Sequence, residues 1–164
     1  MIIKSIESGD IKGSDIFYIN ADDDFKGLTY KVELAETYGF HMLSPGHNDF
    51  KTAKFLDYTK TMIKEGTAKG KIIFLDTLKK FADVMRKEKC SDFGKIMREF
   101  VLSGGSIICL GHVNKHKDPA GKSVFGGGTS DITDDPDCYY MLEQIQVDDK
   151  LKKFDLRITK AVAM

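Results

Sequence analysis

Residues 71–77 are Lys-Ile-Ile-Phe-Leu-Asp-Thr, and residues 106–112 are Ser-Ile-Ile-Cys-Leu-Gly-His. Each segment contains a continuous apolar run, which is the pattern of a strand covered on both faces. Each run is followed directly by polar residues that can carry chemistry. Strands of this kind belong to parallel sheets with helices packed on both sides, so the two segments indicate an α/β protein.

Further strands and helices alternate around these two segments. Helical spacing of apolar residues is found at 26–38, 55–66, 78–85 and 93–101. The remaining predicted strands are residues 16–19, 40–43, 139–145 and 154–158. We therefore expect one domain over residues 1–164 with three layers, a mostly parallel sheet with helices on both faces, and antiparallel strands at the C-terminal end.

Composition narrows the class of protein. The chain has 164 residues, a formal net charge of zero and 41% hydrophobic residues, which is ordinary for a globular domain. No apolar run approaches the roughly 20 residues of a membrane span, and the N-terminus lacks the pattern of a signal peptide. The three cysteines are widely spaced, which favours reduced thiols over a set of disulfide bonds. We expect a cytoplasmic protein that does not enter a membrane.

Polar residues follow three of the predicted strands. The first strand leads into Asn20-Ala21-Asp22-Asp23-Asp24, the second into Asp76-Thr77, and the third into the segment from Gly111 to Lys115. Ligands of open α/β sheets bind beyond the carboxyl ends of the strands. These residues are therefore the first candidates for a functional site.

The order of these features resembles the RecA-like P-loop ATPase superfamily. An apolar strand ending in Asp76-Thr77 is similar to a Walker B motif, and the strand ending at His112 is followed by the glycine-rich segment 126–131. The resemblance is greatest to the replicative helicase and RepA-type branch. The segments 18–23 and 76–81 also resemble a narrower group of AAA-like bacterial ATPases.

The resemblance implies a role for each candidate residue. Asp76 would orient Mg²⁺ through water, Asp22 or Asp23 would act as the general base, and His112 would sense the γ-phosphate. Other nucleotide-binding positions would be Thr77, Asn114, Lys115 and Lys160. The family often has Lys-x-Arg on a late strand, but Ala161 and Val162 follow Lys160 here, so the arginine is absent.

Each assignment has a structural alternative. Asp76 is equally suited to cap the N-terminus of a following helix. The aspartates at 22–24 are compatible with a solvated turn that favours the helix dipole. His112 is compatible with a hydrogen-bonded histidine at a strand end, and Lys115 with a solvated loop.

The phosphate-binding loop of such an ATPase, G-x-x-x-x-G-K-[ST], is missing from this sequence. Gly121-Lys122-Ser123 resembles its last residues, but His116 stands where the first glycine is required. We expect an N-terminally truncated ATPase core that does not bind ATP tightly by itself, and whether this chain is an enzyme stays open. ATP, Mg²⁺ and nucleic acid would be ligands of the intact protein. The missing strand would leave a gap beside residues 106–112, which favours self-association as a dimer or ring.

Two further interpretations remain. The first is an interaction or regulatory module that uses a degenerate ATPase fold without nucleotide. The second is a metal site, because Cys109, His112 and His116 have C-x₂-H-x₃-H spacing. The aspartates near that loop are Asp131, Asp134, Asp135 and Asp137. Cys109 and His112 would point to opposite faces of one strand, which disfavours a shared zinc ion.

Overall fold

The structure is a computed structural model, and it describes residues 2–23, 25–47, 49–81, 87–113, 135–147 and 152–161. The chain divides into two compact units, residues 1–111 and residues 112–164, and each unit is described by itself. The expectation of one domain over residues 1–164 stays a prediction.

Helices and strands alternate in the first unit, and two strands form the second. The α-helices are α1 (Ile2–Glu7), α2 (Phe25–Tyr38), α3 (Phe55–Lys64) and α4 (Lys87–Leu102). The strands are β1 (Ile16–Asn20), β2 (His41–Leu43), β3 (Ile72–Asp76), β4 (Ser106–Leu110), β5 (Cys138–Val147) and β6 (Lys152–Ala161). Short 3₁₀ turns occupy Gly13–Asp15, Thr52–Lys54 and Leu78–Lys80.

The first four strands form one parallel sheet in the order β2-β1-β3-β4. The register pairs Asn20 with Asp76, and Asp76 with Leu110, so the carboxyl ends of β1, β3 and β4 lie side by side. This arrangement confirms the α/β class and the parallel sheet. It also brings the predicted polar strand ends to a common edge.

Side-chain alternation assigns the helices to the two faces of the sheet. Tyr18 and Phe74 are neighbours in register, so they point to the same face, and Lys31 of α2 contacts Tyr18 there. Right-handed crossovers place α3 and α4 together on the opposite face. In agreement with that placement, α3 and α4 pack against each other.

The core lies on both faces of the sheet, with Ile16 and Phe74 buried on the α2 face and a further cluster between the sheet and helices α3 and α4. Ile73 and Leu75 of β3 are buried, and so is Ile19 of β1. Helix α4 presents four buried side chains at helical spacing, namely Phe93, Ile96, Met97 and Phe100. This spacing explains why the segment forms a helix, because only a helix brings all four to one side.

Glycine is required where α4 turns into β4. A Cβ atom at Gly105 would overlap the ring of Phe100, which is fully buried. The next residue of the chain, Ser106, then begins β4 and donates its N–H to the carbonyl of Lys71 at 2.8 Å. Close packing at Gly105 therefore sets the point at which the chain enters the sheet.

Two predicted helix boundaries differ from the structure. Leu78–Lys80 forms a 3₁₀ turn where we expected the start of a helix, and residues 82–85 of that predicted helix lie outside the described residues. Helix α4 begins at Lys87, six residues before the predicted start at residue 93. The four buried side chains all lie after residue 92, and the polar first turn gives no such signal in the sequence.

The second unit contains an antiparallel hairpin. Strand β5 pairs with β6 in a sheet of their own, with Tyr140 opposite Ile158 and Leu142 opposite Leu156. These four side chains are exposed on one face of the hairpin, whereas Met141 on the other face is buried.

No helix within the described ranges is long and apolar enough to cross a membrane.

Candidate active site

Asp76 is the last residue of β3, and its carboxylate is held from two sides. The hydroxyl of Tyr18 donates to Asp76 Oδ2 at 2.6 Å, and Lys31 Nζ donates to the same oxygen at 2.9 Å. The side chain of Asp76 is 19% exposed. A strand tip, a phenol and an ammonium group therefore fix this carboxylate at the sheet edge.

Asp23 is positioned by the turn that follows β1. The side-chain oxygen of Asn20, which is buried, accepts the backbone N–H groups of Asp22 and Asp23 at 3.1 Å each. The amide nitrogen of Asn20 donates to Asp23 Oδ2 at 2.7 Å. Asparagine commonly folds the backbone back on itself in this way. The turn thus aims one carboxylate of the acidic run at the centre of the site.

Lys31 joins the two carboxylates. Its ammonium group lies 2.7 Å from Asp23 Oδ2 and 2.9 Å from Asp76 Oδ2, and it also lies 5.1 Å from the centre of the Tyr18 ring. Lys31 comes from α2, so helix, strand tip and turn meet at one cation. We call Tyr18, Asn20, Asp23, Lys31 and Asp76 the Lys31 cluster.

Contacts within the Lys31 cluster shift the pKa values of Lys31, Asp23 and Tyr18. Burial alone would lower the pKa of Lys31, but its hydrogen bonds to Asp23 and Asp76 outweigh burial and raise that pKa. The hydrogen bonds from Lys31 and Asn20 lower the pKa of Asp23. Burial, followed by the hydrogen bond to Asp76, raises the pKa of Tyr18 to about 12. At neutral pH, Lys31 and Asp23 are therefore firmly charged.

Asp22 faces a different set of charges. Its Oδ1 lies 3.8 Å from Lys79 Nζ and 4.0 Å from Lys80 Nζ, and both lysines are about half exposed. Exposed pairs at this distance contribute little stability. The turn after β1 therefore directs Asp23 toward Asp76 and Asp22 toward the turn after β3. Asp24 lies outside the described residues.

Thr77 connects the ends of β3 and β4. It is 1% exposed, and its hydroxyl donates to the carbonyl of Leu110 at 2.9 Å. The peptide bond between Asp76 and Thr77 is cis. The hydroxyl of Thr77 is engaged in holding the sheet edge, and its predicted role in nucleotide binding stays a prediction.

The other predicted site residues lie in the second unit or outside the described residues. His112 is exposed, follows β4 and belongs to the second unit. Lys160 lies in β6 of the same unit, opposite Tyr139. Asn114, Lys115 and His116 lie outside the described residues.

The carboxylates suit one type of metal binding and not another. Mg²⁺ is commonly held by one or two carboxylates together with water and substrate phosphates. Asp76 and Asp23 are of the residue type that this donor set uses. Across the described ranges, no three His, Cys, Asp or Glu side chains converge in a group that could hold a metal by themselves. Of the predicted zinc ligands, Cys109 is an exposed free thiol, and His116 lies outside those ranges.

Sequence reasoning missed Lys31 and Tyr18. Lys31 is one of several polar residues on α2, and nothing in the local pattern separates it from Lys26. Tyr18 carries a weak signal, because it places a hydroxyl within an otherwise apolar strand two residues before the strand end. Their partnership with Asp76 depends on sheet register and helix placement, which a local pattern does not contain.

Comparison with the profiles of known protein families gives no match for this chain, and comparison with curated proteins gives none either.

Proposed function

We propose that this chain carries the magnesium-side half of a RecA-like ATPase site, which in the intact protein binds and hydrolyses ATP in a process linked to nucleic acid. The observation that carries the proposal is that Asp76, at the end of β3, and Asp23, on the turn after the adjacent parallel strand β1, meet at Lys31. Such edges are where α/β proteins bind ligands.

The chemistry assigned to the two carboxylates differs. Asp76 is the less exposed and sits at the strand tip, so it is suited to orient the water shell of a nucleotide-bound Mg²⁺. Asp23 is ionised and sits on the adjacent turn, so it is suited to polarise an attacking water. Asp23 is preferred to Asp22 because Asp23 shares Lys31 with Asp76, whereas Asp22 faces Lys79 and Lys80.

The phosphate-binding half of the site would come from outside these 164 residues. A P-loop supplies backbone N–H groups and a lysine for the phosphates. Without it, we expect no calorimetric binding of MgATP by this chain at micromolar concentrations. Micromolar binding that Asp76→Ala abolishes would show that the chain holds nucleotide without a P-loop, and the proposed division of the site would fail.

A second function is favoured by the state of the carboxylates themselves. Lys31 already contacts both Asp23 and Asp76, so each carboxylate has a cationic partner without a metal ion. That arrangement suits an interaction or regulatory module that keeps the ATPase fold and does not bind nucleotide.

The coding DNA upstream of Met1 separates the two functions. An in-frame G-x-x-x-x-G-K-[ST] between a predicted strand and helix is the result that the ATPase proposal requires. Its absence from the reading frame would leave the interaction module as the better account.

A further inference from the structure

Strand β4 forms one edge of the parallel sheet, and the direction of its backbone groups can be worked out. Ser106 donates its N–H to Lys71 on the β3 side, and the carbonyl of Leu110 accepts the Thr77 hydroxyl on that same side. Backbone groups alternate in direction along a strand, so those of Ile107 and Cys109 point to the outer edge. No described strand pairs with that edge.

The outer edge of β4 lacks the features that usually protect a sheet edge. Its sequence, Ser-Ile-Ile-Cys-Leu, contains no charge and no proline, and the strand is as long as β1 and β3. Edge strands are usually short, charged or interrupted by proline. The opposite edge follows that rule, because β2 has only three residues and Pro45 follows it closely.

The burial of β4 also differs from that of its neighbour. Leu75 of β3 is fully buried, whereas Cys109, its partner in register, is exposed. Leu110 is 41% exposed, although it belongs to an apolar run of the kind found inside parallel sheets. β4 therefore has the composition of an interior strand and the exposure of an edge strand.

We propose that β4 pairs with β4 of a second copy of this chain in antiparallel orientation, so that two four-stranded sheets join into one of eight strands. A twofold axis at Ile108 places Ile107 opposite Cys109 of the second copy, and the reverse. Each such pair exchanges both of its outward N–H and C=O groups, which gives four hydrogen bonds between the copies. The inference goes beyond the proposed function and concerns these 164 residues: the second copy takes the place beside β4 where the P-loop strand of an extended protein would lie.

A second copy is the occupant that the edge itself favours. The pairing is closed, since a twofold axis uses each edge once and leaves no growing filament. Because the strand is uncharged, the two copies bring no like charges together across the axis. The apolar side chains of Ile108 and Leu110 become covered in the same step.

The test compares two substitutions at one residue. Cys109→Pro removes an outward N–H group and leaves the bonds to β3 in place, whereas Cys109→Val keeps that N–H group. By sedimentation equilibrium under reducing conditions, the wild type and Cys109→Val should dimerise with similar dissociation constants. Cys109→Pro should raise the dissociation constant at least tenfold while its circular dichroism spectrum stays native. A wild-type chain that stays monomeric at several hundred micromolar, or a Cys109→Pro dimer of unchanged affinity, would overturn the proposal.

Hydrogen exchange on the wild type tests the same proposal without any substitution. The amides of Ile107 and Cys109 should become protected as the protein concentration rises, whereas the amides of β2 should not change. Protection of Ile107 and Cys109 that is independent of concentration would mean that the chain covers its own edge, and the second-copy assignment would be wrong. Neither measurement involves nucleotide, so its outcome is separate from that of the ATP-binding experiments.

Discussion

Replacing Lys31 by methionine tests the Lys31 cluster directly. Methionine keeps most of the apolar length of the side chain but removes the ammonium group that contacts Asp23 and Asp76 at 2.7 and 2.9 Å. The two carboxylates then lose their shared cation. We expect the Lys31→Met chain to fold and to have a lower free energy of unfolding.

The size of the loss follows from the exposure of the three side chains. They are 28%, 33% and 19% exposed for Lys31, Asp23 and Asp76, which lies between a surface pair and a buried pair. Surface pairs contribute about 0–1 kcal/mol, and loss of one partner from a buried pair costs about 3–5 kcal/mol. We therefore expect Lys31→Met to lower the free energy of unfolding by about 1–3 kcal/mol at neutral pH.

Urea denaturation followed by circular dichroism measures this difference. The matched control is Lys71→Met, since Lys71 contacts one carboxylate, Asp15, at 2.6 Å and is equally exposed. Its loss should cost about 0–1 kcal/mol. Lys31→Arg, which keeps the charge, should recover much of the stability that Lys31→Met loses.

The pH dependence of the difference has a definite sign. The pKa of Asp23 is lowered in the folded chain, so its contribution is fully present above the unfolded pKa and is lost as pH falls through the folded pKa. The pKa of Lys31 is raised, so its contribution is lost only as pH rises through that raised pKa. The gap between wild type and Lys31→Met should stay constant around neutrality and narrow below about pH 4. Equal costs for Lys31→Met and Lys71→Met, or a gap that does not narrow in acid, would refute the reasoning.

Three further substitutions test the packing that positions the site, each by its free energy of unfolding in urea. Phe100→Ala should lower it by about 3–5 kcal/mol, because the ring is fully buried; a loss below 1 kcal/mol would contradict that burial. Gly105→Ala should cost about 1–3 kcal/mol, since the new Cβ overlaps the Phe100 ring, and in the Phe100→Ala background this cost should largely disappear. Asn20→Ala should cost about 1–3 kcal/mol, because the N–H groups of Asp22 and Asp23 lose their acceptor and Asp23 loses a donor; an unchanged free energy of unfolding would contradict the role of Asn20 in this turn.

Local patterns in the sequence predict most of the parallel sheet. The apolar runs of β1, β3 and β4 are typical of strands in a parallel sheet, and the spacing of Phe93, Ile96, Met97 and Phe100 identifies α4. The meeting of Asn20 and Asp76 at one edge also follows, because parallel strands align their carboxyl ends. The fold class and the sheet edge that carries the candidate site can therefore be predicted from the sequence.

The contacts between side chains within the site could not be predicted from the sequence. Which aspartate faces Asp76 depends on the Asn20 turn, and the cation between them comes from a helix whose rotation is set by packing. The 3₁₀ turn at Leu78–Lys80 was likewise hidden, because the apolar spacing that follows β3 suits a helix. These features arise from contacts between helices, strands and turns, and the apolar periodicity of a single sequence does not predict such contacts.

ATP hydrolysis by the protein extended through its upstream coding sequence tests the central claim most directly. If a P-loop is encoded there, the extended protein should hydrolyse MgATP, and Asp76→Asn should lower kcat at least a hundredfold. Asp15→Asn removes a carboxylate from an ion pair that lies before β1 and β3, so it should leave kcat nearly unchanged. Undiminished turnover by Asp76→Asn would contradict the assignment of Asp76, and an extended protein with a P-loop that neither binds nor hydrolyses ATP would contradict the proposed function.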